Sequence, residues 1–277
     1  MSTENTRAQV KGNFESASND ASMRHEPPQK RDLVAGLEKG LSVIEAFDQQ
    51  RPRLTISEVA ERTGLTRAAA RRYLITLSHL GFVSQDRKMF ALTPRVLRLG
   101  QSYMHSARLP RVVRPEIQRL AQEIGESVGV SVLDDGEVVS VAVAKASHDA
   151  MPLIESGTRL PLHCTAAGRV MLAEMPAAEA EQWIARLPLA AVTARTITQP
   201  ERLRAEISRA REQGYALIDQ ELELGHRAIS VPLRNFRGEA IASMSVVTQG
   251  PRFGTEQLVA QCLPLLRQTQ AHLRQLL

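Results

Sequence analysis

The sequence predicts an α+β protein in two parts: a small helical unit closed by a hairpin, and a larger unit with an antiparallel sheet flanked by helices. Three observations carry this expectation. Apolar residues recur at three- and four-residue spacing between residues 33 and 80, and two short alternating runs follow directly. Farther along, Val128, Val130 and Val132 alternate toward Asp135-Gly136, and Val139, Val141 and Val143 continue beyond it, as in a tight hairpin. A second hairpin joins Ile229-Ser230-Val231 to residues 241–247 across Arg237-Gly238.

In chain order, residues 1–30 are rich in Ser, Asn, Asp, Glu and Pro, with few large apolar groups to offset chain entropy. A disordered tail is expected there. Residues 31–93 read as a winged helix-turn-helix. Leu37, Leu41, Val43, Ile44 and Phe47 give its first helix an apolar stripe. Thr55, with Glu58 three residues on, is the capping-box pattern for a second helix that buries Ile56, Val59 and Ala60. Gly64 suits the left-handed residue that ends it. Thr66 caps the third helix, whose inner side is Ala70, Leu74, Leu77 and Leu80, and Gly81 stops it. Phe82-Val83-Ser84 and Met89-Phe90-Ala91-Leu92 form the wing, with Gln85-Asp86-Arg87-Lys88 between them.

Thr93-Pro94 opens a linker helix expected over residues 94–110, with Val96, Leu99, Gly100 and Tyr103 on one face. Pro110 and Pro115 should break the pattern, and Ile117, Leu120, Ala121 and Ile124 then begin a new helix. The larger unit is expected over residues 111–277. Its first hairpin is followed by a loop at residues 151–163, a helix capped by Thr165, and helices near residues 178–185 and 201–213. Gly214 ends the last of these. After Thr255 a final helical segment holds Pro264, which should kink or restart it.

Composition narrows the function classes. No apolar stretch approaches the roughly 18–20 residues of a membrane span, and the N-terminus lacks the apolar core of a secretory signal. Cys164 and Cys262 lie too far apart to suggest a disulfide framework or a clustered metal motif. A reduced, cytoplasmic protein is expected. Residues 31–95 carry eleven basic against seven acidic side chains, whereas the rest of the chain is nearly balanced. Charge gathered in one short segment points to a polyanionic partner, although a solvated basic face has the same composition.

The helix-turn-helix specifies that partner. Arg67 and Arg71 are four apart on the third helix, with Arg72 beside them, and could reach base edges in a major groove. Ala68 and Ala69 are small enough for close approach. Thr66 offers a hydroxyl and helix N-terminal amides to a phosphate. Arg87 and Lys88 on the wing would meet an adjacent groove or the backbone. Double-stranded operator DNA is therefore the expected macromolecular partner. The alternative is a ligand-binding sensor whose helix-turn-helix serves protein–protein contact, and a DNA shift assay at low salt separates the two.

Several motifs together resemble the IclR family of bacterial regulators. They include Leu37-Glu38-Lys39-Gly40-Leu41-Ser42-Val43-Ile44, Thr55-Ile56-Ser57-Glu58-Val59-Ala60, Gly64-Leu65-Thr66-Arg67, Gly81-Phe82-Val83 and Leu92-Thr93-Pro94-Arg95. In the larger unit the run from Gly157 to Arg169 agrees, as do Gly214-Tyr215 and Asp219-Gln220-Glu221-Leu222-Glu223 leading to Gly225. The resemblance spans residues 33–277 and is closest to the branch that controls protocatechuate, 4-hydroxybenzoate and β-ketoadipate catabolism. It implies a GAF-like effector domain, control of catabolic genes, and a homodimer or tetramer. A dimer would also bury the Val96, Leu99, Tyr103 stripe, which is too short to make a core alone.

Thr165-Ala166-Ala167-Gly168 opens a helix with little side-chain bulk, leaving amides and the positive end of the helix dipole for a carboxylate. Close helix–sheet packing would call for the same small residues. The family resemblance implies an effector pocket from Thr165, Ala166, Ala167 and Gly168, with His226 and Ala228 at a strand entry and Ser245 on the following strand. His226 stands where the family usually has an apolar residue. A small aromatic or dicarboxylic acid is the expected effector. His163-Cys164 has the residue types of a nucleophile and base, but neighbours on an extended chain point to opposite sides. No nucleophile elbow, phosphate loop, cofactor motif or metal-ligand cluster is present, so no enzyme, cofactor or metal is expected.

Overall fold

The computed structural model describes residues 30–48, 50–146, 154–249 and 253–277, so the tail expected at residues 1–30 lies, Lys30 apart, outside the described residues. The chain divides into two compact units, one ending at His105 and the other running from Ser106 to Leu277.

In the first unit, helix α1 (Ala35–Glu45) is followed by strand β1 (Arg53–Thr55), α2 (Ile56–Thr63) and α3 (Arg67–His79). Thr55 and Glu58 exchange the two bonds of a capping box, and Gly64 takes the left-handed conformation at φ 67° that closes α2. Thr66 Oγ1 accepts from the Ala69 amide at 3.2 Å and starts α3. The wing is β2 (Val83–Asp86) and β3 (Met89–Leu92), and β1 adds to it in the order β1-β3-β2. Val43, Leu54, Val59, Ala70, Leu74 and Phe90 close the core.

Three expectations need correction here. The strand Arg53-Leu54-Thr55 was not foreseen: it is three residues long, and only its pairing with β3 reveals it. The wing turn is Arg87-Lys88 alone, since Gln85 and Asp86 remain paired and Arg87 makes the reversal at φ 56°. Of the apolar stripe of α1, Leu37 and Leu41 are exposed, because α2 and α3 cover only the Val43 side of the helix.

The chain continues through a 3-10 turn at Pro94–Val96 into α4 (Leu97–Ser106), which buries none of its residues. The expected linker helix of 94–110 therefore ends four residues early, and the break falls at Ala107 rather than at a proline. Helix α5 (Arg108–Ile124) runs through both prolines. Pro110 sits in its first turn, where an amide has no intrahelical partner to lose. Pro115 lies on the exposed side, where water can take the carbonyl that its missing N–H leaves free, while Val113, Ile117 and Leu120 stay buried.

The second unit is a six-stranded antiparallel sheet between two helical layers. Its strands are β4 (Ser127–Asp134), β5 (Glu137–Ala144), β6 (Arg159–Pro161), β7 (Ala216–Asp219), β8 (His226–Arg234) and β9 (Ala240–Gln249), in the order β6-β5-β4-β9-β8-β7. The short edge strands β6 and β7 were also not foreseen. On one face Val128, Val130, Ile229, Val231, Met244 and Val246 pack against α5 and α9 (Leu263–Leu276). A π-helical segment at Leu258–Cys262 precedes α9, whose Pro264 occupies the first turn, so the segment restarts there as expected. On the other face lie α6 (Ala166–Glu174), α7 (Ala177–Arg186) and α8 (Pro200–Gln213). The fold class is α+β, as the alternating patterns imply.

Candidate functional site

The first candidate surface is α3 and the wing. Its cap leaves Arg67, Ala68, Arg71 and Arg72 exposed at the start of the helix, with Ala69 half-buried and Ala70 and Leu74 in the core. Arg87 and Lys88 are exposed at the wing turn. Arg53 and Arg62 in the same unit are held by Asp86 and Asp48, yet among the described residues none of Arg67, Arg71, Arg72, Arg87 and Lys88 has an ion-pair partner. Five unneutralised cations on one helix face and one turn are free for phosphates or base edges. Thr66 spends a lone pair on its cap and retains its O–H as a donor. Arg95, not singled out in the sequence, lies over the Phe82 ring at 5.5 Å and adds a cation at the base of the wing.

The second candidate is a pocket between α6 and the sheet. Alternation puts Val128, Val130, Val231 and Val246 on the far face and leaves Gly129, Ser131, Ser245, Val247 and Ala228 facing α6. Because the helix begins with Ala166 and Ala167, nothing large fills the space between the layers. The pocket encloses about 630 Å³ counting its open mouth, and Leu160, Ile218 and Leu222 complete apolar walls. Apolar walls with a few convergent polar groups are the pattern of a small-molecule site.

Of the seven residues expected to line an effector site, Thr165, Ala166, Ala167, His226, Ala228 and Ser245 come together here, and Gly168 does not. A Cβ at Gly168 would lie 2.3 to 2.7 Å from the Leu162 backbone, and its amide already donates to Thr165 Oγ1 at 3.0 Å. Gly168 is thus a packing glycine, needed where α6 turns against the chain that leads into it. The Ala166 and Ala167 amides take no partner among the described residues, and they open at the pocket on the positive end of α6. His226 has no hydrogen-bond partner at either ring nitrogen; its Nδ1 lies 3.8 Å from Glu223 Oε2, beyond hydrogen-bond reach. Ser245 donates to Ser230 Oγ at 3.0 Å.

The N-terminal unit matches the IclR helix-turn-helix domain over residues 36–87, and residues 101–274 match the C-terminal domain of the bacterial transcriptional regulator IclR. The chain belongs to the IclR family. It is therefore a DNA-binding transcriptional regulator and not an enzyme. Among individual relatives it is similar to the p-hydroxybenzoate hydroxylase transcriptional activator of Acinetobacter baylyi, at 40% identity over 88% of this chain and 92% of that one. It is similar at 35% identity to the Pca regulon regulatory protein of Pseudomonas putida, over 85% of this chain and 81% of the relative. A crystal structure of an IclR homolog from Microbacterium hydrocarbonoxydans, complexed with 4-hydroxybenzoate, superposes with a TM-score of 0.70 at 26% identity, covering 87% of this chain and 98% of that one.

The remaining polar groups of this IclR-family chain hold the pocket together. Arg169 is buried with Glu221: its Nη1 donates to Glu221 Oε1 at 2.7 Å, its Nη2 to the second carboxylate oxygen, and its Nε to His163 O at 2.9 Å. Glu221 also accepts from the Ile197 amide. The network ties α6 to the segment that carries Leu222, Glu223 and His226. His163 donates to Ala190 O at 3.0 Å, and burial, aided by the Glu221 charge, pushes the Cys164 thiol up to about 11. That thiol is no nucleophile. Among the described residues no group of three His, Cys, Asp or Glu could hold a metal, and no helix is long and apolar enough to cross a membrane. Sequence reasoning missed Ser131 and Ser140 in the pocket wall; the signal was a serine interrupting the valines of β5.

Proposed function

We propose that this regulator binds operator DNA through Thr66, Arg67, Ala68, Ala69, Arg71 and Arg72 on α3 and Arg87 and Lys88 on the wing, and that a small aromatic or dicarboxylic acid in the pocket under α6 modulates that binding. In this reading the genes controlled are catabolic and the chain acts in the cytoplasm. Residues 31–93 contact DNA, and the segment from residue 111 on senses the acid.

The observation that carries the effector reading is the pair of unpartnered amides at Ala166 and Ala167, opening on an otherwise apolar pocket. A helix N-terminus stabilises an anion by about 0.3–1 kcal/mol when exposed and by up to about 2 when partly buried. Thr165, Ala228, His226 and Ser245 complete the site. The complex of a structural relative with 4-hydroxybenzoate and the name of the p-hydroxybenzoate hydroxylase activator support an aromatic acid in particular. Calorimetry of the full chain against a panel of aromatic acids and dicarboxylic acids tests the proposal. Micromolar binding of at least one acid is the expected result, and a site that takes only neutral or cationic compounds contradicts it.

The acting species in this proposal is a homodimer or a tetramer. Leu97, Leu99 and Tyr103 of α4 are exposed, and a dimer supplies the two half-sites that a helix-turn-helix uses.

A further inference from the structure

Ser140 is 2% exposed, lines the pocket, and its hydroxyl has no hydrogen-bond partner. The sheet does not need that hydroxyl. The Ser140 amide donates to Thr158 O at 2.9 Å, and its carbonyl accepts from the Gly157 amide at 2.7 Å, so the strand is satisfied by backbone alone. Its neighbours Val138, Val139, Val141 and Val143 show that a β-branched apolar residue would serve this strand as well. An irregularity in the β4–β5 ladder at Val130/Ser131 leaves Val141 unpaired and brings Ser140 opposite Ser131, on the face that looks toward α6.

An unpaired hydroxyl in an apolar wall is unfavourable in the empty protein, and natural chains keep such groups where something else completes them. The contrast with Ser245 is informative. Ser245 already donates to Ser230, which donates to Met244 O at 3.2 Å, so its hydroxyl is committed within the protein. Ser140 belongs to the sheet layer and the Ala166 and Ala167 amides to the helical layer above it. An occupant lying between the layers reaches both.

We infer that Ser140 reads a hydroxyl group on the effector, so that the pocket selects a hydroxylated monocarboxylic acid over the same acid without its hydroxyl. The inference rests on the acid-binding reading of this pocket. The carboxylate lies at the α6 amides, and the hydroxyl at the far end of the ring exchanges a hydrogen bond with Ser140 Oγ, beside Ser131.

The test is calorimetry of the full-length protein with 4-hydroxybenzoate and with benzoate, in wild type, Ser140→Ala and Ser140→Thr. Wild type is expected to prefer 4-hydroxybenzoate by about 5- to 10-fold, the value of one hydrogen bond. Ser140→Ala should bring that ratio close to one by weakening 4-hydroxybenzoate and leaving benzoate unchanged, and Ser140→Thr, which keeps the hydroxyl, should retain the preference. An unchanged ratio in Ser140→Ala, or equal affinities in wild type, overturns the inference and leaves the acid site standing. Binding of neither acid to wild type overturns this inference, while the acid-binding reading stands or falls by the wider panel of aromatic and dicarboxylic acids. Equal loss of both acids in Ser140→Ala marks a purely structural serine and also overturns it.

Discussion

Ala167 and Gly168 are neighbours in α6 with opposite tolerances. Ala167 faces the pocket, so Ala167→Leu should fill the space and remove acid binding while the fold persists. Gly168 faces the Leu162 backbone, and an added methyl has nowhere to go. Gly168→Ala should destabilise the second unit by about 1–3 kcal/mol or more, despite the gain of up to about 1 kcal/mol that alanine normally brings to a helix; urea titration checks the sign. A stabilised Gly168→Ala would contradict the close approach. On the DNA side, Arg67→Ala or Arg71→Ala should cost about 1–3 kcal/mol and relax sequence preference if the side chain meets a guanine edge. Lys88→Ala should weaken all sequences alike and lower the salt slope by about one ion. Equal DNA affinity in all three variants would defeat the assignment. The caps at Thr55, Thr66 and Thr165 were legible because each is completed within three residues. The role of Gly168 was not, because the Leu162 atoms it must avoid come into range only once the chain folds back on itself.

Among the elements, α2 depends on its capping box. The Thr55 amide and hydroxyl hold the Glu58 carboxyl below its usual 4.5. The Arg51 amide holds Asp48 low as well, against the opposing effect of its partial desolvation and with help from Arg62. A depressed folded value means that stabilisation is complete above the ordinary carboxylate range and is lost as pH falls through the lower folded value. The N-terminal unit should therefore lose stability below about pH 4.5, and Glu58→Gln, which keeps an acceptor but cannot titrate, should flatten that acid limb in thermal melts at graded pH. In the second unit, Glu221→Ala strands a buried guanidinium and should cost about 3–5 kcal/mol. The long helices, the two hairpins and the α+β class were legible because their periodicity persists over many residues. The three- and four-residue strands β1, β6 and β7 were not, because they become strands only by pairing with distant segments. Helix α5 defied its prolines because buried apolar contacts on one side outweigh one lost bond on the other.

For the whole molecule, the exposed apolar residues are the feature that the separate units leave unexplained. Leu33, Val34, Leu37 and Leu41 around α1, and Leu97, Leu99 and Tyr103 on α4, stay uncovered within their own unit. Light scattering at micromolar concentration should return a dimer or a larger even assembly, and a stable monomer would rule out the symmetric DNA complex proposed here. The most direct test joins the two sites in one measurement. Fluorescence anisotropy of the full chain on a duplex recovered from genomic fragments, titrated with 4-hydroxybenzoate and the other acids of the panel, reads DNA affinity against acid concentration. The expected result is a change in DNA affinity of about fivefold or more for wild type, a coupling of about 1 kcal/mol or more, with Ala167→Leu binding the same duplex equally well and failing to respond. A wild-type affinity indifferent to every acid, or an Ala167→Leu variant that responds as wild type does, would contradict it.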